Sequence, residues 1–454
     1  MLSAAELAAS IPGAVVHGDA AARFTSVCSD SRQIRAGCLF VALRGERFDG
    51  HAFVADAARA GATIALVEQP LDAALTQVVV PGSRRALGLA AAAWRRRFRL
   101  PLIAVAGSNG KTTVTQMLAG ILARAFGPAR RLATRGNLNN DIGLPLMLFE
   151  LTASHKAAVL ELGMNHPGEI AYLAQLAQPT VALVNNAQRE HQEFLGSVEA
   201  TAHENGAAIA ALAPDGVAVF PADDPCASVW RNLAGTRRIV DFARTADATV
   251  TAECTLQADG TELEIATPVG LISTRVAVPG LHNVHNALAA TAAALAIDVP
   301  AGAIASGLSA FTAVGGRGVR SRTAGGADLI DDTYNANPDS VRAAIDLLAA
   351  AAPRRILILG DMGEVGSRSV EYHREVGAYA KSRGIDALLG TGAAMREACD
   401  AFGAGAEHFA DIEELQERAQ ELARRGATVL VKGSRFMRME RVVASLGAAT
   451  AGAH

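Results

Sequence analysis

The segment Gly107-Ser-Asn-Gly-Lys-Thr-Thr113 constrains the fold of this chain more than any other. It follows the apolar run Leu102-Ile-Ala-Val-Ala106, which reads as a buried strand, and it opens a helix predicted over about residues 112–125. A strand that is apolar on both faces needs helices above and below it, so the unit belongs to a parallel α/β sheet. The loop chemistry points to phosphate. Glycine lets the backbone approach an anion closely, loop amides can point inward, and the helix N-terminus adds positive potential. The usual pattern has four residues between its glycines, and this loop has two. Gly107, Ser108, Asn109, Gly110, Lys111, Thr112 and Thr113 are therefore expected to hold a nucleotide, with Lys111 at its β/γ-phosphates and the Thr112 hydroxyl on Mg2+.

The chain has 454 residues, enough for about three domains. Half of it is hydrophobic but only 4% is aromatic, so Ala, Val, Leu and Ile fill the interior, as helix-on-sheet layers require. Its net charge of −3 gives no basic footprint for nucleic acid. The local cluster Trp94-Arg-Arg-Arg-Phe-Arg99 reads as the solvated end of a helix, the alternative being a phosphate-facing patch. Five scattered cysteines without a C-x-x-C pair argue against a disulfide framework or zinc site and for a reducing compartment. The N-terminus lacks a basic start followed by a long apolar core, so it does not read as a signal peptide. Residues 287–297 are apolar but too short to span a bilayer. A cytoplasmic protein is expected.

Three sections differ in texture. Residues 1–98 mix short strand-like runs with Ala-rich helical stretches. Residues 99–312 alternate buried strands and helices, then turn at 248–278 to an antiparallel appendage with a turn at Asp259-Gly260. Residues 313–454 repeat βα units as a second open sheet. Gly403-Ala-Gly405 lacks the third glycine and the preceding strand of a dinucleotide fingerprint and reads as a loop. Within the middle section Glu161 ends a buried strand on the same edge as the phosphate loop, a good place for a Mg2+ ligand, although a strand-end Glu can also cap the next helix. His191 follows the next strand in the same way.

The loop, Asn137-Leu-Asn-Asn-Asp-Ile-Gly-Leu-Pro145, Glu161-Leu-Gly-Met164, His191 and Gly280-Leu-His-Asn-Val-His-Asn286 together resemble the Mur ligases, ATP-dependent amide-forming enzymes of peptidoglycan precursor synthesis. Within the family, Asp331-Asp-Thr-Tyr-Asn-Ala-Asn-Pro-Asp-Ser340 and Leu359-Gly-Asp-Met-Gly-Glu364 are similar to the branch that adds D-alanyl-D-alanine to UDP-N-acetylmuramoyl-tripeptide. Branches adding a single amino acid are expected to carry an arginine after Asn-Pro, where this chain has Asp339. The resemblance implies an N-terminal UDP-sugar domain, a central ATP-binding domain, a Rossmann-like C-terminal dipeptide domain, and ATP and Mg2+ as partners of a monomer. It also implies roles. Lys111, Glu161 and His191 would be catalytic, with Thr112, Glu161 and His191 on the metal. Asn283 and Asn286 would face the adenine, and Arg317 and Asp332 would reach the nucleotide from the third domain. Ser31, Arg32, Asp49, Gly50, His51, Asn139 and Asn140 would hold the UDP-sugar substrate. Tyr334, Asn335, Asn337, Asp361, Lys432, Ser434 and Arg435 would shape the dipeptide pocket. Related ligases usually carry a carbamate-forming lysine at a second Mg2+. Asn205 aligns there, so either it or Glu204 is expected to substitute through oxygen, or ATP and water hold that metal.

Overall fold

The computed structural model describes residues 1–46 and 48–447. Its centre is a six-stranded parallel sheet in the order Arg238–Ile239, Val217–Val219, Val181–Val184, Leu102–Ala106, Ala157–Glu161, Arg131–Ala133. The chain enters this sheet in the middle, at Leu102–Ala106, lays Arg131–Ala133 at one edge, fills the gap with Ala157–Glu161, and then builds outward on the other side. The crevice beyond the carboxyl ends of the central strands is where such sheets bind ligands. The register sets Val105 against Glu161 and Ala106 against Val184, so the loop, the Glu161 carboxylate and the segment after Val184 share one edge.

Side-chain alternation along these strands divides the core. Leu102, Ala104 and Ala106 with Ala158 and Leu160 face one apolar cluster; Ile103, Val105, Val159 and Leu183 face a second. The second cluster contains the loop helix Lys111–Phe126 and the Ala-rich helix Leu281–Leu295. That helix is buried around most of its circumference, which explains its apolar sequence without a membrane. Among the described residues no helix is long and apolar enough to cross one. The strands Val250–Gln257, Gly260–Thr267 and Gly270–Val276 form the expected antiparallel appendage, and a short strand, Phe242–Ala243, pairs parallel to its edge.

The N-terminal sheet has five strands between residues 15 and 79, parallel except for Val15–His17. Its inner side chains Leu39, Val41, Ile64 and Leu66 belong to the same apolar cluster as the central sheet, so the core runs across residue 98. The helix Ser83–Arg95 makes that join. The arginine run divides there: Arg96, Arg97 and Arg99 are exposed as expected, but Arg95 is buried and donates to the carbonyls of Phe98, Ala177 and Gln178. The third section has a six-stranded sheet, parallel except for the edge strand Val319–Arg322, with its own apolar clusters on both faces. Gly403 and Gly405 take positive φ in the turn before the strand Ala406–Phe409, so no dinucleotide loop forms.

Candidate active site

A cleft of about 1070 Å³ opens at the strand ends between the central sheet and the third domain, with Arg84 reaching it from the N-terminal section. The phosphate loop forms its floor. Gly107 and Gly110 hold φ of 132° and 82°, which L side chains rarely adopt, and a Cβ on Gly110 would strike Asn286. No side chain caps the helix Lys111–Phe126, so its first-turn amides point into the cleft without intrahelical acceptors. The earlier loop amides are already satisfied by protein. Gly107 N donates to Asn205 Oδ1 (2.9 Å), Ser108 N to Asn186 O (3.2 Å) and Asn109 N to Asn186 Oδ1 (2.9 Å). The amides left free are thus concentrated on the helix end instead of spread over the whole loop. The Ser108 hydroxyl is likewise spent on Gln188, accepting from its N–H at 3.0 Å.

Lys111 Nζ folds back on the loop, 2.6 Å from Gly107 O and 2.9 Å from Ser108 O, and 3.2 Å from the Glu190 carboxylate. Glu161 is buried; Oε1 accepts from Asn139 Nδ2 at 2.7 Å, while Oε2 has no hydrogen-bond partner among the described residues. An unpaired buried carboxylate oxygen a strand end away from Thr112 suits a hard cation. His191 adopts φ 51° and lines the same cleft. Its Nδ1 lies 2.7 Å from Glu364 Oε2 but off the hydrogen-bonding direction, and thus remains formally unpaired. The imidazole nevertheless holds the Glu364 carboxyl below the usual range.

Several expected residues do other work. Asn286 is buried and accepts from Asn185 Nδ2 (3.0 Å), bracing Gly110 from behind, and Asn283 Nδ2 donates to Pro279 O; both border the cleft, but Asn286 is tied to neighbouring side chains and Asn283 to backbone. Asn140 Oδ1 accepts from Ile142 N and Gly143 N, which starts the helix Gly143–Phe149, and Asn139 orients Glu161. In the N-terminal section none of Ser31, Arg32, Asp49, Gly50 or His51 borders the cleft. Ser31 is half-buried and Arg32 is exposed, paired with Asp30. Gly50 and His51 are buried, with His51 receiving Glu68 N on Nε2 and facing Asp49 on Nδ1, so this motif closes a turn.

In the third domain Tyr334, Asn335, Asn337, Lys432, Ser434 and Arg435 line the cleft, as do Arg317 and Asp332. Arg317 stacks on the Tyr334 ring at 4.0 Å. Lys432 Nζ binds Asp332 (2.7 Å) and Asn335 O (2.8 Å), so two residues expected at different ligands form one ion pair. Asp361 is not brought to the cleft: its carboxylate accepts from Ala394 N and Met395 N at the start of the helix Met395–Phe402. Asn337 caps the helix Pro338–Ala349 and also reaches Asn109 of the phosphate loop, Nδ2 to Oδ1 at 2.9 Å. Its loss should therefore disturb the phosphate loop as well as a dipeptide pocket.

Neither expected substitute for the carbamate lines the cleft. Glu204 accepts from Gly168 N and Ile170 N, capping the helix Glu169–Ala177. Asn205 is fully buried, with Oδ1 on Gly107 N. Asn205→Ala is expected to cost roughly 1–3 kcal/mol by orphaning that amide, read as a lower urea midpoint; unchanged stability would remove Asn205 from the loop's support. The residues that sequence reading passed over are Asn185, Asn186, Gln188, Arg189 and Glu190. The available signal was a polar run placed directly after a buried strand on the phosphate-loop edge.

Strand order, phosphate loop and an unpaired strand-end carboxylate define a nucleotide-using enzyme whose cleft is completed by a second α/β domain. Profiles of the Mur ligase middle domain, the Mur ligase glutamate ligase domain and the Mur ligase family catalytic domain match residues 105–294, 316–435 and 23–100. The chain belongs to the Mur ligase family. It is 41% identical over 426 residues, 93% of each chain, to the UDP-N-acetylmuramoyl-tripeptide–D-alanyl-D-alanine ligase of Escherichia coli K12. Among solved structures, MurF from Acinetobacter baumannii superposes with a TM-score of 0.91 at 35% identity, covering 98% of both chains. MurF from Thermotoga maritima in complex with ADP gives 0.82 at 26% identity, covering 94% of this chain and 97% of that one.

Proposed function

We propose that this chain uses ATP to join D-alanyl-D-alanine to UDP-N-acetylmuramoyl-tripeptide, giving the pentapeptide precursor of peptidoglycan, ADP and phosphate. The observation that carries this reading is the single cleft in which the open end of the Lys111 helix, the unpaired Glu161 oxygen and the third-domain residues Tyr334, Asn335 and Arg435 face one another. An amide cannot form directly from a carboxylate, because the carboxylate oxygen is a poor leaving group. A tripeptide carboxylate oxygen attacks the γ-phosphorus and the bond to ADP breaks. The dipeptide amine then attacks the acyl carbon and phosphate leaves.

Lys111 must leave Glu190 and the loop carbonyls to meet the transferring phosphoryl oxygens, whose charge it offsets together with the first-turn amides. Mg2+, when bound, would neutralise phosphate charge; Glu161 and Thr112 are the residues fitted to hold it, with His191 beside them. Asn283, Asn286, Arg317 and the Asp332–Lys432 pair would border the nucleotide. Asn335, Tyr334 and Arg435 would meet the dipeptide, while Ser434, which accepts from Gly363 N and donates to Ala336 O, fixes the turn behind it. In the N-terminal section Ser31, Arg32 and Asp49 are the motif residues left accessible for the UDP-sugar. The domain limits proposed are 1–98, 99–312 and 313–454, with movement at 312, since the apolar cluster is continuous across 98. One chain completes the cleft, so a monomer suffices, and an ATP-driven reaction of this kind belongs in the cytoplasm.

Phosphate release should require ATP, the UDP-tripeptide and D-alanyl-D-alanine together. Release supported by a single free amino acid in place of the dipeptide would assign the chain to a sister reaction. Release without any acceptor would make it a hydrolase.

A further inference from the structure

The segment following the strand Val181–Val184 sends alternate residues in two directions. Asn186 and Gln188 hold the loop residue Asn109, and Glu190 meets Lys111. Arg189 and His191, between and beyond them, meet the third domain. The Arg189 contact is extensive. Its backbone N–H donates to Asp339 Oδ2 at 2.9 Å, Nη2 donates to Asp339 Oδ1 at 2.6 Å, and Nη1 donates to Glu375 Oε2 at 2.6 Å. The guanidinium lies 5.1 Å over the Tyr372 ring. Arg189, Asp339 and Glu375 side chains are 19%, 23% and 29% exposed, so solvent screens this bridge less than a surface pair. Asp339 sits in the first turn of the helix Pro338–Ala349, where a carboxylate is favoured; Glu375 lies on the helix Ser369–Ser382 and keeps a second partner in Arg342 at 2.8 Å. Both acidic partners therefore belong to the third domain, and the planar fork comes from the central one.

We infer that Arg189 is a positioning residue that fixes the third domain against the phosphate loop, by bridging Asp339 and Glu375 on two helices while its chain neighbours grip Asn109 and Lys111. Arg189 does not line the cleft, and acts by setting the distance between its two sides. The same helix Pro338–Ala349 carries Asn337, whose amide meets Asn109. Losing the bridge lets the dipeptide side of the cleft drift from the phosphate side, and a displacement of about an ångström can cost roughly 100-fold in rate. The inference rests on the ligase reading for its kinetics but not for its structural readout.

Small-angle scattering of the full chain with a non-hydrolysable ATP analogue and the UDP-tripeptide tests it, alongside steady-state kinetics. Arg189→Ala should give a larger radius of gyration than the unaltered chain, and turnover should fall roughly 10- to 100-fold while analogue affinity changes by less than about threefold. Arg189→Lys, which can hold one carboxylate but not both, should recover part of the rate. Asp339→Asn, which keeps the helix start, should shift scattering in the same direction, and serves if Arg189→Ala folds poorly. Identical scattering for the unaltered chain and these variants in every ligand state would overturn the inference. So would a loss confined to ATP affinity. If the unaltered chain fails to ligate the dipeptide, the functional reading falls, and the scattering comparison still decides the role of Arg189.

Discussion

Lys111→Ala is expected to lower ligation at least about 1000-fold while the protein stays folded. The side chain is a cation placed on the phosphate loop itself, 2.6 Å from Gly107 O, and removing a group aimed at developing charge costs roughly 10²–10³ in rate even when it is a neutral donor. Phosphoryl transfer spreads charge over three oxygens, so a full positive charge matters more. Lys111→Arg should not restore activity, because a planar fork cannot take the place of a compact ammonium at the transferring phosphoryl oxygens. Phosphate release and circular dichroism decide the matter: near-normal turnover by a folded Lys111→Ala protein would sink the assignment.

The second large effect is expected at Glu161. Glu161→Gln retains an oxygen to accept from Asn139 Nδ2, so the fold should survive. What it removes is the charge on the buried oxygen that has no protein partner. One charge-assisted contact is worth roughly 1.5–3 kcal/mol, and the Mg2+ concentration for half-maximal activity should therefore rise about 10- to 100-fold. Mn2+ binding followed by paramagnetic resonance in the presence of an ATP analogue gives a reading independent of turnover. An unchanged metal requirement in both measurements would leave Glu161 a structural residue.

Much of the fold was legible because it depends on local pattern. The strand–loop–helix unit at 102–126, the buried strands at 157–161 and 181–184, and the hairpin at Asp259-Gly260 were readable from runs of apolar residues and turn chemistry. The placement of Lys111, Glu161 and His191 at the cleft was legible for a related reason: each stands at or soon after the end of a buried strand, and parallel strands put such positions on one edge. The sequence was also sound on the N-terminal basic run except at Arg95, where four carbonyls at a helix end and a neighbouring loop accept from a buried guanidinium.

What sequence by itself determined is thus the class of sheet, the strand–loop–helix unit and the edge on which the cleft opens, since those follow from periodicity and chain direction. Which polar side chain faces ligand and which supports backbone was decided only by the tertiary structure. Asn140, Asn205, Glu204 and Asp361 carry groups well suited to ligands, yet each is consumed by an amide N–H that would otherwise be left without a partner. Asp339 could be noticed in the sequence only as the residue standing where an arginine was expected. Its partner, Arg189, lies 150 positions away, and the bridge exists because two separately folded sheets meet at one cleft. A hydrogen-bond requirement is set by burial, and burial is a property of the assembled chain.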